Sequence, residues 1–284
     1  MTTIALLHST IRAEEKLLLE AARSRAVELR PVDVRTAVFS AGFFPLDFDI
    51  ALERSVSTVK GTYAVAYIEA CGRPAVNSLE VARNCQDKFQ TSLLLERAGI
   101  PTPRFALVFE PEPALEAVEA LGGFPVVLKP PLGSWGRLLA KVNDRDALEA
   151  LLEHKDVLGT PPQKAYYLQE YVRKPGRDIR AFVAGGETIC AIYRESGHWI
   201  TNTARGAVAK NCPVGGDLRT LCARVSGAVG GGLLAVDVFE TASGLTVNEV
   251  NHTMEFRNSE GPTGVSIAGA VIDYCLGRVE GRAR

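Results

Sequence analysis

Leu233-Leu234-Ala235-Val236-Asp237-Val238-Phe239-Glu240, followed after a short break by Val247-Asn248-Glu249-Val250-Asn251-His252-Thr253, is the stretch on which the reading of this chain turns. Both pieces read as β-strands. The first is almost wholly apolar, yet Asp237 sits at its middle. A carboxylate inside a buried strand is costly unless it is paired or binds a metal. In the second piece Glu249 and Asn251 are two residues apart and point to one face. Thr241-Ala242-Ser243-Gly244 between the pieces has the composition of a hairpin turn. Pairing the strands would gather Asp237, Glu249 and Asn251, three hard oxygen donors suited to Mg²⁺ beside substrate phosphates. The alternative is a strand-edge acid with two polar loop residues.

Working outward, strands dominate from Asp178 onward, expected at 179–183, 188–193 and 200–203. A helix over 217–229 closes on Gly230, Gly231 and Gly232, and a last helix is expected over 267–276. The middle of the chain reads as helix 78–98, strand 102–109, helix 114–121, strands 124–130 and 138–142, helix 144–154 and strand 166–172. Residues 1–80 alternate strands (4–8, 32–35, 50–52, 75–76) with helices (14–28, 57–71), the pattern of a small open α/β unit with a parallel sheet. The expected fold class is α/β followed by α+β material whose strands are mostly joined by hairpins.

The 284 residues allow two or three small domains, and 46% hydrophobic with 23% charged content is ordinary for a globular protein. A formal net charge of −1 supplies no basic field for nucleic acid. No apolar run is long enough to span a membrane. The start, Thr2 to His8, lacks the basic residues and cleavage site of a secretory signal, so the cytoplasm is the expected compartment. Six cysteines are scattered without metal-like spacing, which suits reduced, mostly buried thiols.

Lys129 ends an apolar strand and is followed by Pro130-Pro131 and the tight loop Gly133-Ser134-Trp135-Gly136-Arg137. Backbone N–H groups of such a loop can lie over phosphates, with the lysine adding a point charge. It is neither a Walker A loop nor a dinucleotide fingerprint, and taken alone it reads equally as an ordinary hairpin. Arg177, Asp178 and Arg180 form another polar cluster, and Arg205-Gly206 a third. Arginines converging with Lys88 and Lys129 would clamp a triphosphate and an acyl phosphate, whereas each taken singly reads as a solvated surface residue. Gln169 and Glu170 interrupt an aromatic strand and offer edges to an adenine ring. His8 closes the first strand, where an open α/β sheet places its ligands.

In chain order these pieces resemble the ATP-grasp superfamily. Four longer segments, 129–137, 169–180, 199–206 and 248–256, look like the LysX group of ligases in carrier-protein-dependent lysine biosynthesis, close relatives of the RimK-type glutamate ligases. The resemblance spans nearly the whole chain. It implies an ATP-grasp fold with a pre-ATP-grasp α/β domain over 1–84, a central subdomain over 85–172 and a C-terminal subdomain over 173–284. The implied reaction phosphorylates, from ATP, the side-chain carboxylate of the C-terminal glutamate of a small acidic carrier, LysW. The α-amino group of 2-aminoadipate then attacks the acyl phosphate; glutamate, serving arginine synthesis, is the alternative amine. The implied cofactors are ATP and Mg²⁺, and the group suggests a homodimer or homotetramer.

The same resemblance implies residue roles. Lys88 and Lys129 would contact phosphates, under a loop formed by Gly133, Ser134, Trp135, Gly136, Arg137, Leu138 and Leu139. Gln169, Glu170, Tyr171, Val172, Asp178 and Arg180 would line the adenosine side, with Asn202 against the nucleotide. Arg205 would steady the acyl phosphate, and Asp237, Glu249 and Asn251 would hold Mg²⁺. Arg194, Thr203, Ala204, Glu255, Phe256, Arg257, Asn258 and Ser259 would surround the amino acid. Asn258-Ser259 matches the pair that marks aminoadipate-specific members, where glutamate-specific relatives carry Gly-Phe.

Overall fold

A computed structural model describes residues 1–133, 138–160 and 164–281. Strand β1 (Thr3–His8) divides its side chains between two cores. Ile4 and Leu6 pack with helix α1 (Ala13–Arg23), while Ala5 and Leu7 pack with Ala64, Val65 and Ile68 of a later helix. Burial on both faces is what a parallel sheet between helices requires. β1 indeed pairs in parallel with β2 (Glu28–Asp33) and β3 (Ile50–Glu53); α2 (Thr58–Ala70) then leads to β4 (Ala75–Val76), giving the order β2-β1-β3-β4. The first helix stops well short of the expected 14–28, because Ala26 turns the chain with φ 52° and β2 begins ahead of the strand expected at 32–35.

The single helix expected over 78–98 is two, α3 (Leu79–Gln86) and α4 (Lys88–Arg97). Asp87 between them is extended (φ −110°, ψ 118°), and its carboxylate accepts the N–H groups of Phe89 (2.9 Å) and Gln90 (3.1 Å). An aspartate that caps so well ends one helix by starting another. Lys88 is therefore the first residue of α4, its N–H donating to the Pro131 carbonyl at 2.9 Å.

The middle unit contains β5 (Phe105–Val108), α5 (Pro111–Ala120), β6 (Val126–Lys129), β7 (Ala140–Val142), α6 (Arg145–Leu158) and β8 (Tyr166–Glu170). Its antiparallel sheet, ordered β5-β8-β6-β7, packs Leu128 and Leu168 against Val118, Leu148 and Leu152 of the two helices.

The large sheet is antiparallel in the order β11-β10-β9-β12-β13, built from β9 (Arg177–Ala184), β10 (Glu187–Glu195), β11 (Val208–Cys212), β12 (Leu233–Thr241) and β13 (Gly244–Asn251). Residues 200–203, expected as a strand, form none; Thr203–Arg205 is a 3-10 turn, and the free edge of β10 is taken by β11. That edge strand carries Ala-Lys-Asn at its centre and shows no apolar alternation to betray it. Helix α7 (Gly216–Val229) covers one face. After the one-turn α8 (Glu260–Thr263), helix α9 (Ile267–Val279) covers part of the other. Ile267, Val271 and Ile272 of α9 share a core with Ile4, Leu18 and Phe182, so the N-terminal unit and the large sheet are packed as one body.

Asn77, just after β4, staples the same junction. Its Nδ2 donates to the carbonyls of Leu233 (2.7 Å) and His252 (2.5 Å), and its Oδ1 accepts the Leu233 N–H at 2.6 Å. Gly232 (φ 88°) permits the approach, since a Cβ there would lie 2.2 Å from Asn77 Oδ1.

Candidate functional site

One face of the large sheet changes character along its strands. On β9, residues 178, 180 and 182 share a face. Phe182 lies in the core under β1 and α9, whereas Asp178 and Arg180 carry charge where that cover ends. The neighbouring strands continue the pattern, because Arg194 pairs across from Asp178, Asp237 across from Arg180, and Glu249 across from Asp237. The result is a strip of alternating charge. Arg194 donates to both oxygens of Asp178 (2.7 and 2.8 Å) and reaches Asp237 Oδ2 at 3.1 Å. Arg180 donates to both oxygens of Asp237 at 2.7 and 2.9 Å. Burial pulls the Asp237 carboxyl upward, but Arg180 and Arg194 outweigh it and hold the group below its ordinary value. Burial likewise opposes the charge of Arg194, while Asp237 and Asp178 raise its affinity for the proton.

Two connected chambers open onto this strip. The smaller, about 90 Å³, lies between the middle and large sheets. Val127, Leu139, Tyr171, Trp199, Ile200 and Phe239 contribute its apolar and aromatic walls. Lys129 stands in its floor, 6% exposed, donating to Gln169 Oε1 (2.6 Å) and Asn248 Oδ1 (3.1 Å). Desolvation lowers its pKa to about 8, Lys88 and Lys174 adding to the effect and Glu249 opposing it. Lys174 donates to Thr201 Oγ1 at 2.6 Å and lies 3.5 Å from Asp178, whose carboxylate also accepts the Thr201 hydroxyl. A narrow apolar slot ending in three amines fits a flat base joined to an anionic tail.

The larger chamber, about 590 Å³, lies between the N-terminal unit and β12–β13. It is lined by Arg12, by Ser55 to Val59 at the start of α2, by Arg180, and by Asn251 to Thr253. Burial drives the His252 imidazole down to about 4, so it is neutral at pH 7. Lys88, Gly133, Asn202, Asp237 and Glu249 line both chambers and mark their junction. There Lys88 Nζ donates to the Gly133 carbonyl at 2.6 Å and lies 3.6 Å from Glu249.

The expected hairpin exists, and its register sets Asp237 opposite Glu249 and Ala235 opposite Asn251. Asp237, Glu249 and Asn251 all line the larger chamber, and Asn251 Nδ2 is buried with no hydrogen-bond partner among the described residues. Two carboxylates and the amide oxygen of Asn251 form a set of hard oxygen ligands that suits Mg²⁺ sharing its coordination with phosphates, and the unpaired Nδ2 of the same amide is a donor that a phosphate oxygen would satisfy. Among the described residues no group of three or more His, Cys, Asp or Glu side chains makes a self-sufficient metal cage.

Lys88, Lys129, Leu139, Gln169, Glu170, Tyr171, Val172, Asp178 and Asn202 are gathered around the smaller chamber. Gln169 is spent on Lys129 and Tyr167, and Glu170 pairs with Arg104 at 2.8 Å. Arg180 lines the larger chamber and Arg194 the smaller, because each follows the strand register and not the order along the chain. Of residues 255–259 only Glu255 lines a chamber; Phe256 and Ser259 are buried, and Arg257 and Asn258 are exposed. The Phe256–Ser259 turn (Ser259 N–H to the Phe256 carbonyl, 2.8 Å) carries the segment onto α1, where the Arg257 N–H meets Glu14 at 3.3 Å. Arg205 and Thr203 sit in the 3-10 turn after Asn202, and Leu138 is exposed with φ 58°. Ser134, Trp135, Gly136 and Arg137 lie outside the described residues, as does the side chain of Ala204.

Lys174, Asn248, Arg12 and Ser55 also line the chambers and were not singled out as site residues. Their signals were present. Lys174 is four residues before Asp178, Asn248 adjoins Glu249, and Arg12 and Ser55 follow the C-terminal ends of β1 and β3, where parallel sheets bind ligands. The cysteines are free, all buried except Cys71. Among the described residues no helix is long and apolar enough to cross a membrane.

Comparison with known proteins gives two family models in tandem, a LysX preATP-grasp domain over residues 4–84 and a RimK-like ATP-grasp domain over residues 85–275. The chain is 36% identical over 252 residues to the alpha-aminoadipate–LysW ligase LysX of Saccharolobus solfataricus, covering 87% of this chain and 91% of the relative. It is 32% identical over 275 residues to the glutamate–LysW ligase ArgX of Sulfurisphaera tokodaii, covering 95% and 97%. The crystal structure of a RimK domain ATP-grasp protein from Sphaerobacter thermophilus superimposes with a TM-score of 0.80 at 30% identity, covering 97% of this chain and all of that one.

Proposed function

Since the chain belongs to the RimK-like ATP-grasp family and carries a LysX preATP-grasp domain in front, we propose that it joins 2-aminoadipate to the amino-group carrier protein LysW. It is an ATP-dependent carboxylate–amine ligase. In the proposed reaction the α-amino group of 2-aminoadipate forms an isopeptide bond with the γ-carboxyl of the carrier's C-terminal glutamate, a step of lysine biosynthesis. The observation that carries this reading is the pair of chambers meeting at Lys88, Asp237 and Glu249. The smaller offers aromatic walls and lysines to a nucleotide, the larger has room for two substrates, and the residues that line both would surround the phosphoryl group in transfer.

A carboxylate is a poor electrophile until one oxygen becomes a phosphate leaving group. Bringing the carboxylate to the γ-phosphate of ATP sets two anions against each other, and fixed cations must offset that repulsion. Lys129, Lys174 and Lys88 supply them from the nucleotide side, and Arg180 from the substrate side. Arg205 steadies the acyl phosphate. Asp237, Glu249 and Asn251 would hold Mg²⁺, which when bound neutralises charge developing on the phosphoryl oxygens. The amine then attacks the acyl carbon, and phosphate leaves.

The test is ADP release with ATP, LysW and 2-aminoadipate, together with the mass of the carrier. Absence of ADP and of a mass gain would reject the reading. Glutamate is the second candidate amine, favoured by the similarity to a glutamate–LysW ligase. Comparing kcat/KM for the two amino acids decides between them, and a preference for glutamate would replace the first choice.

A further inference from the structure

Strand β13 ends at Asn251, and the residues that follow are held one after another by the N-terminal unit: the His252 carbonyl by Asn77, the Thr253 hydroxyl by Glu53, the Met254 carbonyl by Arg54 and the Glu255 carboxylate by Arg12. We propose that Arg54 is a positioning residue that sets the Glu255 carboxylate to receive the ammonium of the incoming amino acid. Binding of an amine at this place rests on the ligase reading above.

Met254 and Phe256 are buried in the core shared with Leu18 and Ile267, whereas Glu255 between them lines the larger chamber. Arg54, just after β3, reaches across to this segment. Its Nη1 donates to the Met254 carbonyl at 2.6 Å, and its guanidinium carbon lies 5.7 Å from the centre of the Phe256 ring. The Met254 carbonyl belongs to the planar peptide group that carries the Glu255 nitrogen, so Arg54 fixes the plane from which the Glu255 side chain departs.

A second path joins the same two residues. Glu15 Oε1 accepts Arg54 Nε at 3.1 Å and Arg12 Nη2 at 3.0 Å, and Arg12 Nη1 donates to Glu255 Oε1 at 3.0 Å. Side-chain exposure rises along this ladder, from 4% at Arg54 and 0% at Glu15 to 18% at Arg12 and 34% at Glu255. A buried ion ladder is a poor stabiliser, since apolar residues of similar volume often do as well. What this one supplies is a single geometry at its open end.

Among the described residues three acids line the larger chamber: Asp237, Glu249 and Glu255. Asp237 and Glu249 also line the smaller chamber and belong to the junction; Glu255 stands apart from it. An amino acid arrives with a protonated amine and needs an acid to meet it. A carboxylate offers about four lone-pair sites, so the bond from Arg12 orients Glu255 without using it up.

A double-mutant cycle separates positioning from support. Glu255→Gln at the open end and Arg54→Met at the buried end are each expected to raise the KM for 2-aminoadipate about tenfold, the worth of one lost hydrogen bond to a charged group, with the KM for ATP unchanged. The double variant should also stand about tenfold above wild type, and not about a hundredfold, because Arg54 acts through Glu255. An Arg54 that only supports the fold would lower kcat with the amount of folded protein and leave the KM where it was. That outcome, or effects that multiply, would overturn the proposal. If Arg54→Met does not fold, Arg54→Lys enters the same cycle, since it keeps the charge and loses the fork that reaches Met254 and Glu15 together. Melting with 2-aminoadipate and with adipate, which lacks the amine, reads the contact without turnover. The wild type is expected to gain more Tm from 2-aminoadipate, and the excess over adipate should vanish in Glu255→Gln; no gain, or an equal gain from both in the wild type, would rule out Glu255 as the ammonium site. Failure of the wild type to release ADP would instead reject the ligase reading, and the melting arm would still judge Glu255.

Discussion

Asp237 and Arg180 face each other across β12 and β9, joined by two hydrogen bonds: Nε to Oδ1 at 2.7 Å and Nη2 to Oδ2 at 2.9 Å. Arg194 approaches the same carboxylate from the side of the smaller chamber at 3.1 Å. One buried aspartate thus links a cation of each chamber, and the chambers share an electrostatic hub at the point where they meet.

Replacing Asp237 by asparagine keeps the shape and removes the charge from that hub. Breaking a buried ion pair by removing one partner costs about 3 kcal/mol. Asp237→Asn is therefore expected to unfold at lower urea while keeping its secondary structure. Its ADP release should fall at least about 100-fold, the size of effect seen when one preorganised group is lost from a phosphoryl or oxyanion site. Turnover at the wild-type rate would show that phosphate and metal are held elsewhere.

Lys129 predicts a pH dependence. Its pKa in the folded chain is about 8, below the ordinary 10.5, because burial disfavours the ammonium. Between those values the unfolded chain holds more protons, so this group's contribution makes stability rise as pH increases from about 8 to about 10.5. Nucleotide binding runs the other way, since phosphates favour the charged form. The KM for ATP should rise as pH passes 8, and binding at pH 8 should take up a proton, visible by calorimetry in buffers of different ionisation heat. Lys129→Met should abolish the proton uptake. A KM for ATP that is flat from pH 7 to 9.5 would disprove the assignment.

How far the sequence foretold this arrangement depended on whether the determinant was local. The two-residue spacing of Glu249 and Asn251 and the turn at 241–244 are local, and the hairpin followed from them; its register did not, because a shift between Asp237 and Val238 sets Asp237 opposite Glu249, where counting from the turn gives Asn248. The break at Asp87 was also local but hidden, because a continuous apolar pattern on either side masked a capping aspartate that forms two hydrogen bonds to the next turn. Arg180 and Arg194 could not be placed from spacing. Their chambers are set by β9 lying between β10 and β12, and although β9 and β10 form a local hairpin, β12 comes from a segment far along the chain. The edge strand β11 was invisible for a different reason: an exposed polar edge strand has no buried face to impose alternation.

Asn77 holds the N-terminal unit to the large sheet through three hydrogen bonds to Leu233 and His252. Asn77→Ala leaves those buried backbone groups unsatisfied at a cost of about 3 kcal/mol. Because His252 adjoins Asn251, the loss should also weaken catalysis by disordering the end of β13. We expect a lower urea midpoint and a reduced kcat, with the KM for ATP unchanged because the smaller chamber has no contact with Asn77. A variant as stable as the wild type would show that packing of α9 on α1 suffices to join the two units.

Asn258 and Ser259 are the residues proposed to choose aminoadipate over glutamate, and their environments differ. Ser259 is 2% exposed, so Ser259→Phe forces a ring into filled space and is expected to cost about 1–3 kcal/mol. A change in substrate preference in that variant would be confounded with damage to the fold. Asn258 is exposed, three residues after the chamber-lining Glu255. Asn258→Gly is therefore the cleaner probe, with stability within about 1 kcal/mol of wild type. The ratio of kcat/KM for aminoadipate over glutamate should fall roughly tenfold, the worth of one lost hydrogen bond to a charged group. An unchanged ratio in a protein of unchanged Tm would remove Asn258 as the selector and leave the choice of amine to residues inside the chamber.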